Sequence, residues 1–346
     1  MTRLIVFIIS LSIVLLFSSL WLPAHYGTAY PRNSIVSLDP TIDPDLLKSF
    51  AERKPETVLL GNSMLGEGID EQLFDELFPG SVYKLGINGA ASAVWYLVLK
   101  NVVCAVEPPP RTVLLFFRDS FLTQPGFRVD GKYRSKVEMY AGPGEVLLER
   151  LAYLDGMDWY SYYAEKWLPL FGERERLRDD IVGIAKYSVP LRVTGNDSIA
   201  VDGAIAGTFA DSNMNESMLT AAQLDAEKVG GDIDHFDFGA RLETSFLPAM
   251  VDVLEEHGIE LVVLRVKRRR DLKANSRPAA LETYVRDLRD YLDTRGVTFL
   301  DYSDEDALAA DKFGEGDHLN ETGREVFTRL VAEDMLTRGP GTGIGE

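Results

Sequence analysis

Along this chain, short unbroken apolar runs alternate with apolar residues at helical spacing. Val58, Leu59 and Leu60, closed by Gly61, read as a buried strand over 57–60. Leu73, Phe74, Leu77 and Phe78 then predict a helix over 70–78. A second strand is expected over 81–85, and a helix over 92–106 that Pro108, Pro109 and Pro110 prevent from continuing. The third strand, 112–117, is almost wholly apolar, as a strand covered on both faces should be. After an interruption the alternation resumes with a helix over 241–257, a strand over 260–266, a helix over 279–294, a strand over 297–300 and a last helix over 320–336. Strands alternating with helices predict an α/β fold: a five-stranded parallel sheet with helices on both faces and right-handed crossovers.

The interruption, 120–238, is too long and too apolar for a loop and is expected to be a helical insertion after strand three. Helical pieces are expected over 146–154, 159–170 and 174–186, and Gly195-Asn196-Asp197 reads as a turn. Trp159, Tyr160, Tyr162, Tyr163 and Trp167 are expected to form a core stripe, with stacking on sugar rings as the alternative. At the other extreme, Leu4 to Leu22 is nineteen residues without a charge. As a helix it would be about 28 Å long, close to the ~30 Å thickness of a bilayer's hydrocarbon. A cleaved signal peptide has an apolar core of only ~7–15 residues, so an uncleaved transmembrane anchor over 1–24 is favoured. Arg3 should stay in the cytoplasm and the body should face outward. The expected division is anchor 1–24, tether 25–50, α/β domain 51–338 and a Gly-rich tail 339–346.

Composition narrows the partners. With 54 acidic and 36 basic residues the net charge is -18, which disfavours nucleic acid and anionic headgroups. Cys104 is the only cysteine, so an internal disulfide and a multi-cysteine metal site are excluded. It is expected to be a small buried hydrophobe.

Candidate chemistry gathers at the carboxyl ends of the strands, where open α/β sheets hold their ligands. Ser63 directly follows strand one and reads either as a helix cap or as a nucleophile. A serine nucleophile needs a base, normally a histidine oriented by a carboxylate. Of four histidines, His25 lies beside the anchor, His235 near the end of the insertion, and His257 at a helix C-terminus where a cation suits the dipole. His318 lies between strand five and the last helix, beside Glu315 and Asp317, at the sheet end expected to carry Ser63. Arg118 and Asp119, directly after strand three, read as a pair binding a carboxylate or phosphate or as a salt bridge holding the insertion to the sheet. Arg265 raises the same choice, while Lys267 to Arg270 read as a solvated loop.

Gly61-Asn62-Ser63 after the first strand and Glu315-Gly316-Asp317-His318 before the last helix resemble the SGNH, or GDSL-like, hydrolase superfamily. The resemblance implies a flavodoxin-like three-layer sandwich with Ser63 as nucleophile and His318 as base. Glu315 stands where that family has aspartate, and Asp317 is an alternative orienting carboxylate. Gly86-Ile87-Asn88-Gly89 resembles the block that supplies an oxyanion donor, so Gly89 N–H and Ser63 N–H would stabilise the developing charge. The family's asparagine block should follow strand three, where this chain has Phe117-Arg118-Asp119-Ser120; Asn88, Asn62 or Arg118 could replace that donor. Single-span, outward-facing members resemble O-acetyltransferases and O-acetylesterases of envelope or exported polysaccharides. The resemblance thus implies an acylated polysaccharide or an acyl donor as partner, allows a membrane-bound acyltransferase partner, and implies no cofactor and no metal. The alternative is a non-catalytic, membrane-tethered glycan-binding or assembly protein on the same scaffold.

Overall fold

The computed structural model describes residues 2–32, 38, 40, 42, 44–174, 176–178, 180, 181, 183, 184, 236–269, 279–314 and 316–338. The turn expected at Gly195 and the tail 339–346 lie outside them, as do Glu315, His235 and Arg270. The chain divides into two compact units, Met1–Leu38 with Tyr153–Asn215, and Asp39–Ala152 with Glu216–Glu346.

The second unit is built on five parallel strands: β1 (Thr57–Gly61), β2 (Val82–Gly86), β3 (Thr112–Phe117), β4 (Glu260–Arg265) and β5 (Thr298–Asp301). Their spatial order is β2-β1-β3-β4-β5, the flavodoxin-like order expected. Crossovers leave β1 in opposite directions from those beyond β3, so the crevice between these two strands' carboxyl ends is the switch point. Ser63 follows β1 there.

Burial on both faces explains why β1 and β3 read as unbroken apolar runs. Val58, Leu59, Leu60 and Val113 to Phe116 are inaccessible to solvent. On one face Leu59, Leu114, Phe116, Val262 and Leu264 join a core with Phe327, Val331 and Met335 of the last helix, Glu321–Arg338. The sheet's other cover includes helix Ser92–Val98, running on as the π-helical turn Leu99–Val103, and helices Leu247–Glu256 and Ala279–Thr294. Cys104 is half-buried, and its thiol is pushed up to about 11 by burial and then by Glu256.

Three departures from the expected elements have local causes. The helix expected over 241–257 is two helices, Phe238–Leu242 and Leu247–Glu256. Pro248 lacks the N–H that a continuous helix would need, and it sits instead in the first turn of the second helix. The stretch expected as tether contains helix Pro44–Arg53, opened by its proline, whose Phe50 packs edge-on to Tyr83 at 5.2 Å. A six-residue helix, Ser63–Gly68, intervenes between β1 and helix Glu71–Leu77.

The first unit contains helix Thr2–Tyr26, which is long and apolar enough to cross a membrane. Helices Trp159–Trp167 and Pro169–Gly172 belong to the same unit. Glu173 is fully buried there, accepting from Arg32 Nη2 at 2.6 Å, Thr28 Oγ1 at 2.8 Å and Tyr30 OH at 3.0 Å. Burial alone would raise its pKa, but Arg32 and the hydroxyls outweigh that and hold the carboxyl below its usual range.

One glycine joins the last helix to the loop before it. A Cβ on Gly323 would lie 2.1 Å from the Lys312 carbonyl oxygen, which accepts the Asn320 N–H at 2.9 Å. Alanine would gain about 1 kcal/mol in helix propensity. Forcing a methyl against backbone costs about 1–3 kcal/mol, so the clash should win. Gly323→Ala is therefore expected to lower the urea midpoint of unfolding, and an unchanged or raised midpoint would show that the two segments are less closely packed.

Candidate active site

Ser63 owes its position to a sharp strand-to-helix turn. The Asn62 side-chain oxygen accepts the Met64 N–H at 2.9 Å, and its carbonyl accepts the N–H groups of Leu65 and Gly66, each at 3.0 Å. Asn62 is therefore the helix cap and Ser63 the first helical residue. First-turn N–H groups have no partner within their own helix, and that of Ser63 has no acceptor among the described residues. At the other end of this short helix, Lys84 Nζ donates to the carbonyls of Ile69 at 2.8 Å and Gly66 at 3.3 Å. Burial pulls the Lys84 pKa down, with Glu71 opposing.

His318 is presented by a short loop ahead of the last helix. Phe313 and Leu319 form an isolated antiparallel bridge, both are buried in the core, and Gly314 N–H donates to the His318 carbonyl at 2.9 Å. The Asn320 side-chain oxygen accepts the Gly323 N–H at 2.9 Å, starting the helix directly after the loop. His318 Nε2 lies 3.0 Å from Ser63 Oγ, and both residues are half-buried. That is hydrogen-bond distance for a general base. In the neutral tautomer protonated at Nδ1, Nε2 accepts the serine Oγ–H.

Asp317, weighed as the orienting carboxylate, is committed elsewhere. Its Oδ2 accepts from Arg118 Nη1 at 2.7 Å and Arg268 Nε at 3.3 Å, and its Oδ1 from the Arg269 N–H at 3.2 Å. No acceptor bonds His318 Nδ1 among the described residues. Arg118 thus works as a salt bridge, the second of its two expected roles, although it ties β3 to the histidine loop rather than to an insertion. Arg268 spans the two acids, its Nη1 lying 3.2 Å from both Asp119 oxygens. The basic cluster expected as a solvated loop is corrected accordingly: Arg268 and Arg269 hold Asp317, and Lys267 Nζ donates to the Glu305 carbonyl. Arg265 is also structural, paired with Asp301 at 3.1 Å and bonded to Ser303 Oγ at 3.2 Å.

The turn after β2 lies beside the serine. Ile87 N–H donates to the Gly61 carbonyl at 2.9 Å, so the Gly86–Gly89 turn is fixed to the end of β1. Gly89 has φ +77°, and a Cβ there would lie 2.6 Å from the Tyr133 ring, so only glycine fits. Its N–H has no acceptor among the described residues. Asn88 is exposed, its carbonyl accepts from Lys136 Nζ, and its side-chain oxygen lies 3.6 Å from where a Gly66 Cβ would stand. Of the three residues weighed as replacements for the asparagine donor, Asn62 is a cap, Arg118 is in an ion pair, and Asn88 lies against helix Ser63–Gly68. Sequence reasoning missed Tyr133 and Lys136, which cover the Gly86–Gly89 turn. Residues 131–140 carry no strand or motif signal that could have marked them.

No family model and no curated protein matches the sequence. Among solved structures it is similar to a candidate acylhydrolase from Bacteroides fragilis, with 11% identity, 87% of this chain and 91% of that chain covered, and a TM-score of 0.38. It is likewise similar to a GDSL-like lipase from Bacteroides thetaiotaomicron, with 10% identity, 84% and 91% covered, and a TM-score of 0.37. Strand order β2-β1-β3-β4-β5 makes this a flavodoxin-like α/β fold, with a serine at the tip of β1 and a histidine ahead of the last helix, as the resemblance implied.

The Arg118–Asp317 pair should carry stability as well as position. The two side chains are 5% and 8% exposed, and removing one partner of a buried pair costs about 3–5 kcal/mol. Arg118→Ala is expected to lose that much in urea unfolding. A loss below about 1 kcal/mol, the value of an exposed pair, would contradict a buried clamp.

Proposed function

We propose that the protein is a membrane-anchored serine esterase or O-acyltransferase acting on an acyl ester of an extracytoplasmic polysaccharide. The observation that carries the chemistry is the 3.0 Å approach of His318 Nε2 to Ser63 Oγ at the switch point of the sheet. The apolar run of helix Thr2–Tyr26, which begins at Leu4 directly after Arg3, supports the anchor and an outward-facing body.

In this mechanism His318 takes the Ser63 proton as the oxygen attacks the ester carbonyl. The tetrahedral oxyanion would be met by the N–H groups of Ser63 and Gly89, donors that carry no protein acceptor among the described residues. Collapse breaks the ester C–O bond, and the His318 imidazolium protonates the departing alcohol, leaving an acyl-serine. Water then regenerates the enzyme as an esterase, while a sugar hydroxyl completes acyl transfer. Both outcomes need His318 to deprotonate the incoming hydroxyl. An acyl donor, or a membrane-bound acyltransferase supplying one, is the partner that the transfer outcome requires.

One observation favours a second reading, a non-catalytic glycan-binding or assembly protein. Arg118 holds Asp317 in the place where the resembled family carries its asparagine donor. Turnover of an acetylated phenol ester decides between the readings. The enzyme reading expects Ser63→Ala to lose about 10⁴- to 10⁶-fold in kcat, as nucleophile removal does in serine hydrolases. Equal rates for parent and variant would refute it and favour the scaffold.

A further inference from the structure

Helix Trp159–Trp167 is not the core stripe its aromatic spacing suggests. Trp159 is 75% exposed, Tyr160 61%, Tyr163 56% and Trp167 55%, and Leu168 beyond its end is 55% exposed. At about 100° per residue, Trp159, Tyr160, Tyr163 and Trp167 fall within an arc of about 100° on one side of the helix. Glu165 lies on the opposite side, where it is 8% exposed and takes Arg32 Nη1 at 3.4 Å and Arg174. The helix is thus fastened to its own unit through the polar side, and its aromatic side faces away from that attachment.

The level of this attachment along the apolar helix bears on what the aromatic side meets. Helix Pro169–Gly172 packs on helix Thr2–Tyr26, whose buried residues among those described are Ser18 and Leu22. Just beyond, Tyr26 OH donates to Asp180 Oδ2 at 2.5 Å, and Thr28, Tyr30 and Arg32 all bond Glu173. About 20 residues cross the hydrocarbon, so a span beginning at Leu4 leaves it near Pro23. The fastening contacts therefore sit where the chain enters the headgroup layer. Tryptophan and tyrosine favour that layer, being apolar in the ring and polar at the N–H or O–H. The helix itself carries one glutamate and one lysine, so charge gives it no preference for anionic lipid.

We propose that helix Trp159–Trp167 is a second membrane contact, lying in the interfacial zone beside the emerging anchor with its aromatic side in the lipid headgroup layer. This rests on the reading of Thr2–Tyr26 as an uncleaved span. The contact would restrain the first unit against the bilayer at a second point, using rings rather than charge.

Tryptophan emission of the full-length protein in nanodiscs tests this, comparing plain phosphatidylcholine with phosphatidylcholine brominated near the headgroup end of its acyl chains. Trp21→Phe leaves Trp159 and Trp167 as reporters, and Trp159→Phe/Trp167→Phe leaves Trp21; Trp95, fully buried, is a common background. The proposal expects the Trp21→Phe protein to lose emission in the brominated discs, equally at low and high salt. Quenching of the double variant with unchanged emission of Trp21→Phe would overturn it, freeing the aromatic side for a protein or a glycan. Unchanged emission of both would refute the anchor itself, and the second contact with it.

Discussion

The buried pair between Arg118 and Asp317 joins two parts of the chain 199 residues apart at the carboxyl end of the sheet. Arg118 leaves β3, the strand beside β1, and Asp317 immediately precedes His318. Holding Asp317 against the end of β3 fixes the backbone that carries the imidazole. Ser63 needs no such clamp, because Asn62 caps its helix and β1 is buried on both faces. The Ser63–His318 distance depends on two anchorages, one made by a helix cap and one by charge. Arg268 reinforces the second by bridging Asp119 and Asp317.

That clamp has a chemical cost. The residue that follows β3 in the resembled family donates to an oxyanion, whereas here it holds a carboxylate. Asp317 in turn bonds Arg118, Arg268 and the Arg269 N–H rather than His318 Nδ1. Under the proposed mechanism the oxyanion would be met by backbone: the first N–H of a capped helix and the N–H of a glycine with positive φ. Both are donors that folding leaves without an acceptor among the described residues, and both flank the end of β1.

The sheet was legible because burial on two faces leaves a plain mark in sequence. β3 was predicted residue for residue, and helix Ala279–Thr294 likewise, since its buried Leu281, Val285, Leu288 and Leu292 recur at helical spacing. Helix Ser63–Gly68 escaped because six residues are too few to show a period. Asn62 and Ser63 are both good caps, and only the structure distinguishes them. The arginine partners were hidden for another reason: ion pairs across 149 or 199 residues leave no periodic trace. The aromatic spacing of Trp159, Tyr163 and Trp167 marks a helix but not a core, because an exposed aromatic side produces the same period as a buried one.

The central claim is that His318 activates Ser63. Labelling with a serine-reactive fluorophosphonate, followed by peptide mapping, tests it without knowledge of the substrate. The account predicts one labelled residue, Ser63, and loss of that label in His318→Ala while the fold is kept. A protein that stays unlabelled, or a His318→Ala variant labelled at Ser63 as fast as the parent, would contradict it.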